Sequence, residues 1–429
     1  MLKTKLYNLT LALAAIIALA GCGGKQASSA SGSPLSAGAG EVLPLWAEGY
    51  MDIHFINTGR GECALYIFPD GTTMLVDAAG SLLKYHEKMP SDPKPSADVP
   101  SSDVIEHYLR HYMPEASKGR LDYYMLSHYH SDHMGSYADT LPMHPSGEFR
   151  LAGFADIGSR FPCDKLIFRG DPEVYISGDH SSQPAMDNLF AYVKWAEKEN
   201  GTKFEYMEPG RDDEIVLKKN AEAYPGFKVQ NIAASGFVWT GSGVESRTQI
   251  PSKEELAEAG KEAYPAENIM SCVFTVDYGK FNYYCGGDLQ YNGRSEYPYK
   301  DMESQVAGVL SEVDVMKADH HGTGTTNAES LVKVLNPSAV VINVWRDVQP
   351  NRATVERIFT IRPDCMVYTT NMADLNREIL GEYIQKLVAT NGHVVIRVAP
   401  GGDTYYIYVL DDTNEEYRIA KVSGPCSSR

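Results

Sequence analysis

Positive charge is scarce in this chain. Thirty-nine lysines and arginines face 56 aspartates and glutamates, a formal net charge of −17 over 429 residues. That deficit argues against a broad nucleic-acid-binding surface, because phosphate affinity draws mainly on lysine and arginine. A locally positive cleft is still allowed. Cysteine is also sparse: the seven residues include no C-x-x-C pair, so the sequence offers neither a thiolate zinc cage nor a redox dithiol. No G-x-S-x-G elbow supplies a serine nucleophile. Beyond the first 21 residues no apolar run approaches the roughly 20 residues that a membrane helix needs, and there is no tandem repeat. With 43% hydrophobic residues the chain can still bury a large core, which argues against global disorder.

The N-terminus is different in kind. Lys3 and Lys5 precede the apolar run "LTLALAAIIALA", which leads into Leu19-Ala20-Gly21-Cys22. A short basic region, an apolar stretch and small residues predict an export signal over residues 1–21. The last four residues resemble a bacterial lipobox, with Cys22 as the lipidated mature N-terminus. Loss of the leader removes two lysines and takes the net charge to −19. Residues 22–47 are rich in glycine, serine and alanine, the composition of a flexible tether. Together these features predict a domain spanning 48–425 in the cell envelope, outside the cytoplasm and held to a bacterial membrane by lipid on Cys22. Cys63, Cys272 and Cys285 sit in apolar, strand-like runs and read as core thiols.

From residue 50 onward, short β-rich runs alternate with helical patterns. "DIHFINTG", "CALYIF" and "TTMLVDAAG" read as strands broken by turns. "SDVIEHYLRHYM" and "AMDNLFAYVKWAEKEN" read as helices, and Ser252 with Glu255 forms a capping-box pattern. Mixed elements throughout predict α/β layers rather than a bundle or sandwich. The expectation is one domain of two halves with a loop-rich insertion at about 137–205.

The densest chemistry is His128-Tyr129-His130-Ser131-Asp132-His133. Imidazoles and carboxylates are the preferred ligands of zinc and similar divalent metals. Two positions apart on an extended segment, His128 and His130 point the same way. Asp132 and His133 follow where a loop entering a helix can aim them at an adjacent position, and Gly135 permits a tight turn. Two cations roughly 3.5–4 Å apart would activate a water between them. His107 and His111, spaced i, i+4, have no third ligand nearby in sequence and read as a polar helix face.

H-x-H-x-D-H after a strand resembles the signature of the metallo-β-lactamase superfamily. "DIHFINTGRGECALYIFPDGTTMLVDAAG", "NIMSCVFTVDYGKFNYYCGGDL" and "VDVMKADHHGTGTTNAESLVKVLNPSAVVINV" are similar to its ComEC-like branch, the hydrolase domain related to the competence DNA-uptake protein. The resemblance implies a four-layer αββα sandwich of two mixed β-sheets flanked by helices. It implies two divalent metals, zinc or alternatively manganese, and roles residue by residue. His128 and His130 would hold one metal, and Asp132 and His133 the other. Asp288 would bridge both, and one of His320 and His321 would complete the second site, with strand-end geometry favouring His320. Asp77 would orient the site by hydrogen bonding, and Asp132 and Asp77 are the catalytic candidates. The usual G-Q-G-D turn reads Gly59-Arg60-Gly61-Glu62, making Arg60 a candidate for a substrate anion or for a surface salt bridge. A further ligand found in many superfamily members has only His180 and Asn268 as candidates. The implied activity is hydrolysis by a metal-bridging hydroxide, with a small phosphoester or nucleic acid as substrate. The alternatives are a hydrolase of lactone, lactam or other esters, and a non-catalytic metal-binding or DNA-uptake partner module.

Overall fold

The computed structural model describes residues 35, 37–80, 91–173, 181–291 and 296–429. Cys22, His86 and His180 lie outside the described residues. In chain order, β1 (Met51–Phe55), β2 (Ala64–Ile67), β3 (Thr73–Val76), β4 (Leu121–Leu126), β5 (Cys163–Phe168) and β6 (Lys203–Tyr206) begin one sheet. The second holds β7 (Phe227–Ala234), β8 (Phe237–Trp239), β9 (Ser246–Thr248), β10 (Val273–Tyr278), β11 (Phe281–Cys285), β12 (Val315–Lys317), β13 (Ala339–Ile342) and β14 (Met366–Thr369). The chain then returns to the first sheet with β15 (His393–Val398), β16 (Thr404–Leu410) and β17 (Ile419–Ser427), for an order β17-β16-β15-β1-β2-β3-β4-β5-β6.

Each sheet is antiparallel in one half and parallel in the other. β3 to β6 run parallel, as do β11 to β14. Parallel strands are covered on both faces and so read as continuous apolar runs, as "LIF" and "AVVI" do. The two-residue alternation sorts each strand between layers. Met51, Ile53 and Phe55 of β1 face the core between the sheets, with Phe274, Val276, Val315 and Val341 opposite. Leu65, Ile67 and Leu75 point outward onto α1 (Ser101–Tyr112), α3 (Gly153–Arg160) and α4 (Gln183–Asn200); α2 (Ser131–Met134) is a single turn after β4. On the far side, α5 (Lys253–Ala259), α6 (Met302–Ala307), α7 (Glu329–Leu335), α8 (Arg352–Ile361) and α9 (Asp374–Leu380) cover the second sheet through Leu256, Val306, Leu331, Ile358 and Leu380. The result is the expected helix–sheet–sheet–helix sandwich.

Two boundaries differ from the sequence reading. The tether ends earlier than residue 47. Gly40 donates to the Ile419 carbonyl at 2.8 Å, Ile419 returns a bond to Glu41, and Leu43 is buried. A backbone ladder to a strand at the opposite end of the chain leaves no trace in local composition. Residues 137–205 are not a loop-rich insertion, because β5 and β6 pair in parallel beside β4 and extend the first sheet. The capping box is present, with Ser252 accepting from the Glu255 amide. The cysteines of the described residues are all free.

Candidate metal centre

The sequence motif sits on the loop where β4 ends. Asp77, just past β3, takes a left-handed φ of 59°. Its Oδ1 accepts from the Ser127 amide, while its Oδ2 accepts from the Ser127 hydroxyl and from His133 Nδ1, each at 2.8 Å. With Nδ1 committed as a donor, His133 turns Nε2 inward, 3.2 Å from Asp288 Oδ2. His321 is held the same way from the other sheet: Nδ1 donates to the Asn343 carbonyl at 3.0 Å, and Nε2 lies 3.4 Å from Asp288 Oδ2 and 3.3 Å from Asp132 Oδ2. Fixing one ring nitrogen to aim the other is how metal-binding imidazoles are oriented.

Asp288 is the hub. Its Oδ2 lies within reach of four imidazoles, also standing 3.8 Å from His128 and 3.7 Å from His320. His128 Nε2 and His130 Nδ1 are 3.2 Å apart on the near side. The structure therefore gathers His128, His130, Asp132, His133, Asp288, His320 and His321 into one region, and it separates the last two. His321 is fully buried and faces the carboxylates. His320 is 21% exposed and is contacted by the amides of Asn268 at 3.2 Å and Gln290 at 2.7 Å. Of the pair, His321 is the ring that joins the tight cluster, and the chain takes positive φ at both residues. Asn268 reaches His320 but is not part of the tight cluster.

That cluster comprises Glu62, His133, Asp288 and His321, whose ligand atoms all lie within 4.8 Å of one another. Sequence reasoning passed over Glu62. It ends the G-R-G-E turn, where attention fell on the arginine. Gly61 makes the placement possible: at φ 132° a side chain there would collide with Ala79 and the Asp132 carbonyl. This close approach lets the Glu62 amide bond the Asp132 carbonyl at 2.9 Å. Lys317, at the end of β12, was also missed. It is 1% exposed, donates to the Gly287 carbonyl at 2.7 Å, and lies 3.1 Å from Glu62 and 4.0 Å from Asp288. Among the described residues Arg60 has no salt-bridge partner; its guanidinium donates to the Ala97 carbonyl at 2.8 Å. Among the decoys, His107 pairs with Glu415 at 2.6 Å and His111 packs on Tyr417.

The electrostatics show what the site wants. Burial penalises charge on His133 and His321, yet the surrounding carboxylates overrule it. His133 is raised well above an ordinary imidazole by Asp288 and Asp77, and His321 is pushed up to about 9 by Asp288 and Asp132. Burial prevails at His128 and His320, which are lowered. Asp288 is driven well below the carboxylate range against its own burial, mainly by His133 and His321. His133 Nε2, His321 Nε2, both Asp288 oxygens and Glu62 Oε2 are nonetheless buried without a hydrogen-bond partner. Orphaned buried acceptors are costly, and a converging set of imidazole and carboxylate lone pairs fits a divalent cation. Proton and cation compete for these lone pairs.

A pH dependence follows. A histidine whose folded pKa is raised adds stability that is complete below its unfolded pKa and is lost as pH rises through the folded value. The metal-stripped chain is therefore expected to melt several degrees lower at pH 9.5 than at pH 6.5. Chain carrying zinc should lack that loss, because the cation replaces the proton. Thermal melts across this range, with and without zinc, check it.

No family model matches the chain. Over 98 residues, 22% of its length, it is 30% identical to Recombination protein 2 of Haemophilus influenzae, and the match covers 11% of that protein. The chain thus spans about a tenth of this curated relative. A solved structure from Parabacteroides distasonis, provisionally described as a metal-dependent hydrolase, is similar over 74% of this chain and 92% of its own, at 11% identity and a TM-score of 0.34. That superposition is too loose to carry weight.

Proposed function

We propose that this chain is a metal-dependent hydrolase of the ComEC-like metallo-β-lactamase type. One observation carries the reading: buried, unpartnered lone pairs of two imidazoles and two carboxylates converge at the seam of the two sheets. His133, Asp288, His321 and Glu62 would hold the first cation, and His128, His130 and Asp132 flank a place for a second, with Asp288 between. Bound zinc supplies a water acidic enough to attack an ester at neutral pH and a Lewis acid for the developing oxyanion. The chain's own residues do the rest. Asp77 holds the His133 ring in register. Asp132, 3.3 Å from His321 Nε2, would link the two cation positions. The Lys317 ammonium, raised by Glu62 and Asp288 against burial, keeps part of the acidic cluster neutralised.

Phosphodiesters are the favoured substrates, on the resemblance in sequence. The net charge of −17 favours small phosphoesters over long nucleic acid, although the match to a protein named for recombination keeps DNA on the panel. Lipid on Cys22, and with it a place outside the cytoplasm, belongs to the same proposal. The test is metal analysis of the purified chain followed by assays on a chromogenic phosphodiester, DNA, a lactone and a lactam. One or two tightly held zinc ions with phosphodiester turnover support it. Metal-loaded chain that turns over only the lactam or lactone would overturn the phosphodiester assignment. Absence of metal binding would sink the hydrolase itself.

A further inference from the structure

The loops that carry Glu62 and His133 also wall a cavity that none of the four tight-cluster residues lines. It has a volume of about 380 Å³ and lies between the first turns of α1 and α3, with Arg60, Gly80, Ser101, Ser136, Asp156 and Arg160 in its lining. Three buried donors there are incompletely used. Arg60 is 6% exposed; its Nη2 donates to the Ala97 and Ser96 carbonyls at 2.8 and 3.4 Å, and its Nε has no partner. Ser101 and Ser136 are 5% and 4% exposed, and neither hydroxyl has a partner among the described residues.

Ser101 also opens α1, a 12-residue helix preceded by Pro100 with no side-chain cap. Its Ser101 and Ser102 amides are left without a side-chain cap, whereas the Asp103 amide bonds the Pro100 carbonyl at 3.0 Å. The Gly80 carbonyl accepts from the Ser136 amide at 3.2 Å, and a Cβ at Gly80 would lie 3.5 Å from Ser101 Oγ, so both hydroxyls share one wall. Asp103, in the first turn of α1, and Asp156 give the same lining an acidic wall; Arg160 engages Asp156 at 2.8 Å and Asp103 at 2.7 Å, so the two carboxylates outnumber that guanidinium.

We propose that this cavity binds an oxyanion, the phosphate or carboxylate end of a small ligand, between Arg60, Ser101, Ser136 and the start of α1. The acidic wall repels a second negative group, so the ligand carries one anionic group or is a zwitterion, and polyanions are excluded. The site does not rest on the hydrolase reading, because its donors are separate from the metal cluster.

The experiment titrates inorganic phosphate and, separately, acetate into the full chain after metal is stripped and the chelator dialysed away. One saturable site is expected, and the tighter anion identifies the ligand's end group. Ser136→Ala should weaken binding about tenfold, the worth of one hydrogen bond to a charged group. Arg60→Gln should weaken it further. Because Arg60 also ties down the 96–97 carbonyls, Ser136→Ala is the deciding variant. Asp156→Asn should tighten binding by easing repulsion. The proposal is overturned if neither anion binds, if Ser136→Ala binds as the parent does, or if binding appears only after zinc is restored.

Discussion

Replacing Asp288 with alanine is expected to abolish both metal retention and hydrolysis. Among the described residues Asp288 Oδ2 is the one carboxylate oxygen within 4 Å of His128, His133, His320 and His321 together. Loss of a residue that merely orients a metal ligand costs ~10–100-fold in affinity or activity, and removal of the shared acceptor should exceed about 100-fold. The fold should survive, since the Asp288 side chain makes no hydrogen bond beyond the cluster. Without its carboxylate the elevated proton affinities of His133 and His321 fall, so the alkaline loss of stability in metal-stripped chain should shrink as well. Metal content after dialysis, phosphodiester turnover and melts at two pH values measure all three. Parental turnover in Asp288→Ala would remove the cluster from the chemistry.

The second large effect lies outside the cluster. Arg169 is fully buried and bonds Glu267 with two 2.7 Å contacts. Glu267 Oε1 also accepts the Tyr129 amide at 2.8 Å, and the guanidinium lies 4.6 Å from the centre of the Tyr129 ring. Tyr129 is the residue between His128 and His130, so this ion pair sets the path of the motif. Glu267→Ala removes the carboxylate from a buried guanidinium, which keeps only its Nη1 bonds to Asp171 and Ser235, and leaves the Tyr129 amide unanswered, at about 3–5 kcal/mol, which should lower the melting temperature by several degrees. It should also weaken metal binding although no ligand is touched. A double variant, Arg169→Met with Glu267→Leu, separates the effects. An apolar pair restores much of the stability but not the bond to Tyr129, so metal affinity should stay low. Melting and zinc titration of both variants decide it. Parental zinc affinity in the double variant would show that the pair serves stability alone.

What the sequence made legible was whatever the chain carries in one run. The motif at 128–133 announced itself by type and spacing and the α/β class by alternating elements, whereas Asp77, the His320–His321 pair and the four layers were expected from the family resemblance. Glu62 and Lys317 stood out by neither route, because a lone acid or lysine acquires meaning only when Gly61 lets one loop press on another and two sheets close over both. His320 and His321 are indistinguishable in sequence; their positive φ values decide which ring faces inward. The early packing of Leu43 depends on β17, at the other end of the chain, and β5 and β6 count as framework only once β4 lies beside them.

The cluster draws on both halves. Glu62, Asp132 and His133 come from loops of the first sheet, and Asp288, Lys317 and His321 from those of the second. The tight cluster of Glu62, His133, Asp288 and His321 exists only when both halves are in place, so a cation held there would work as a rivet through two plates: it would seat only after the plates are aligned and, once seated, would oppose their separation. Slow release of zinc from the native chain would then report how often the two sheets part.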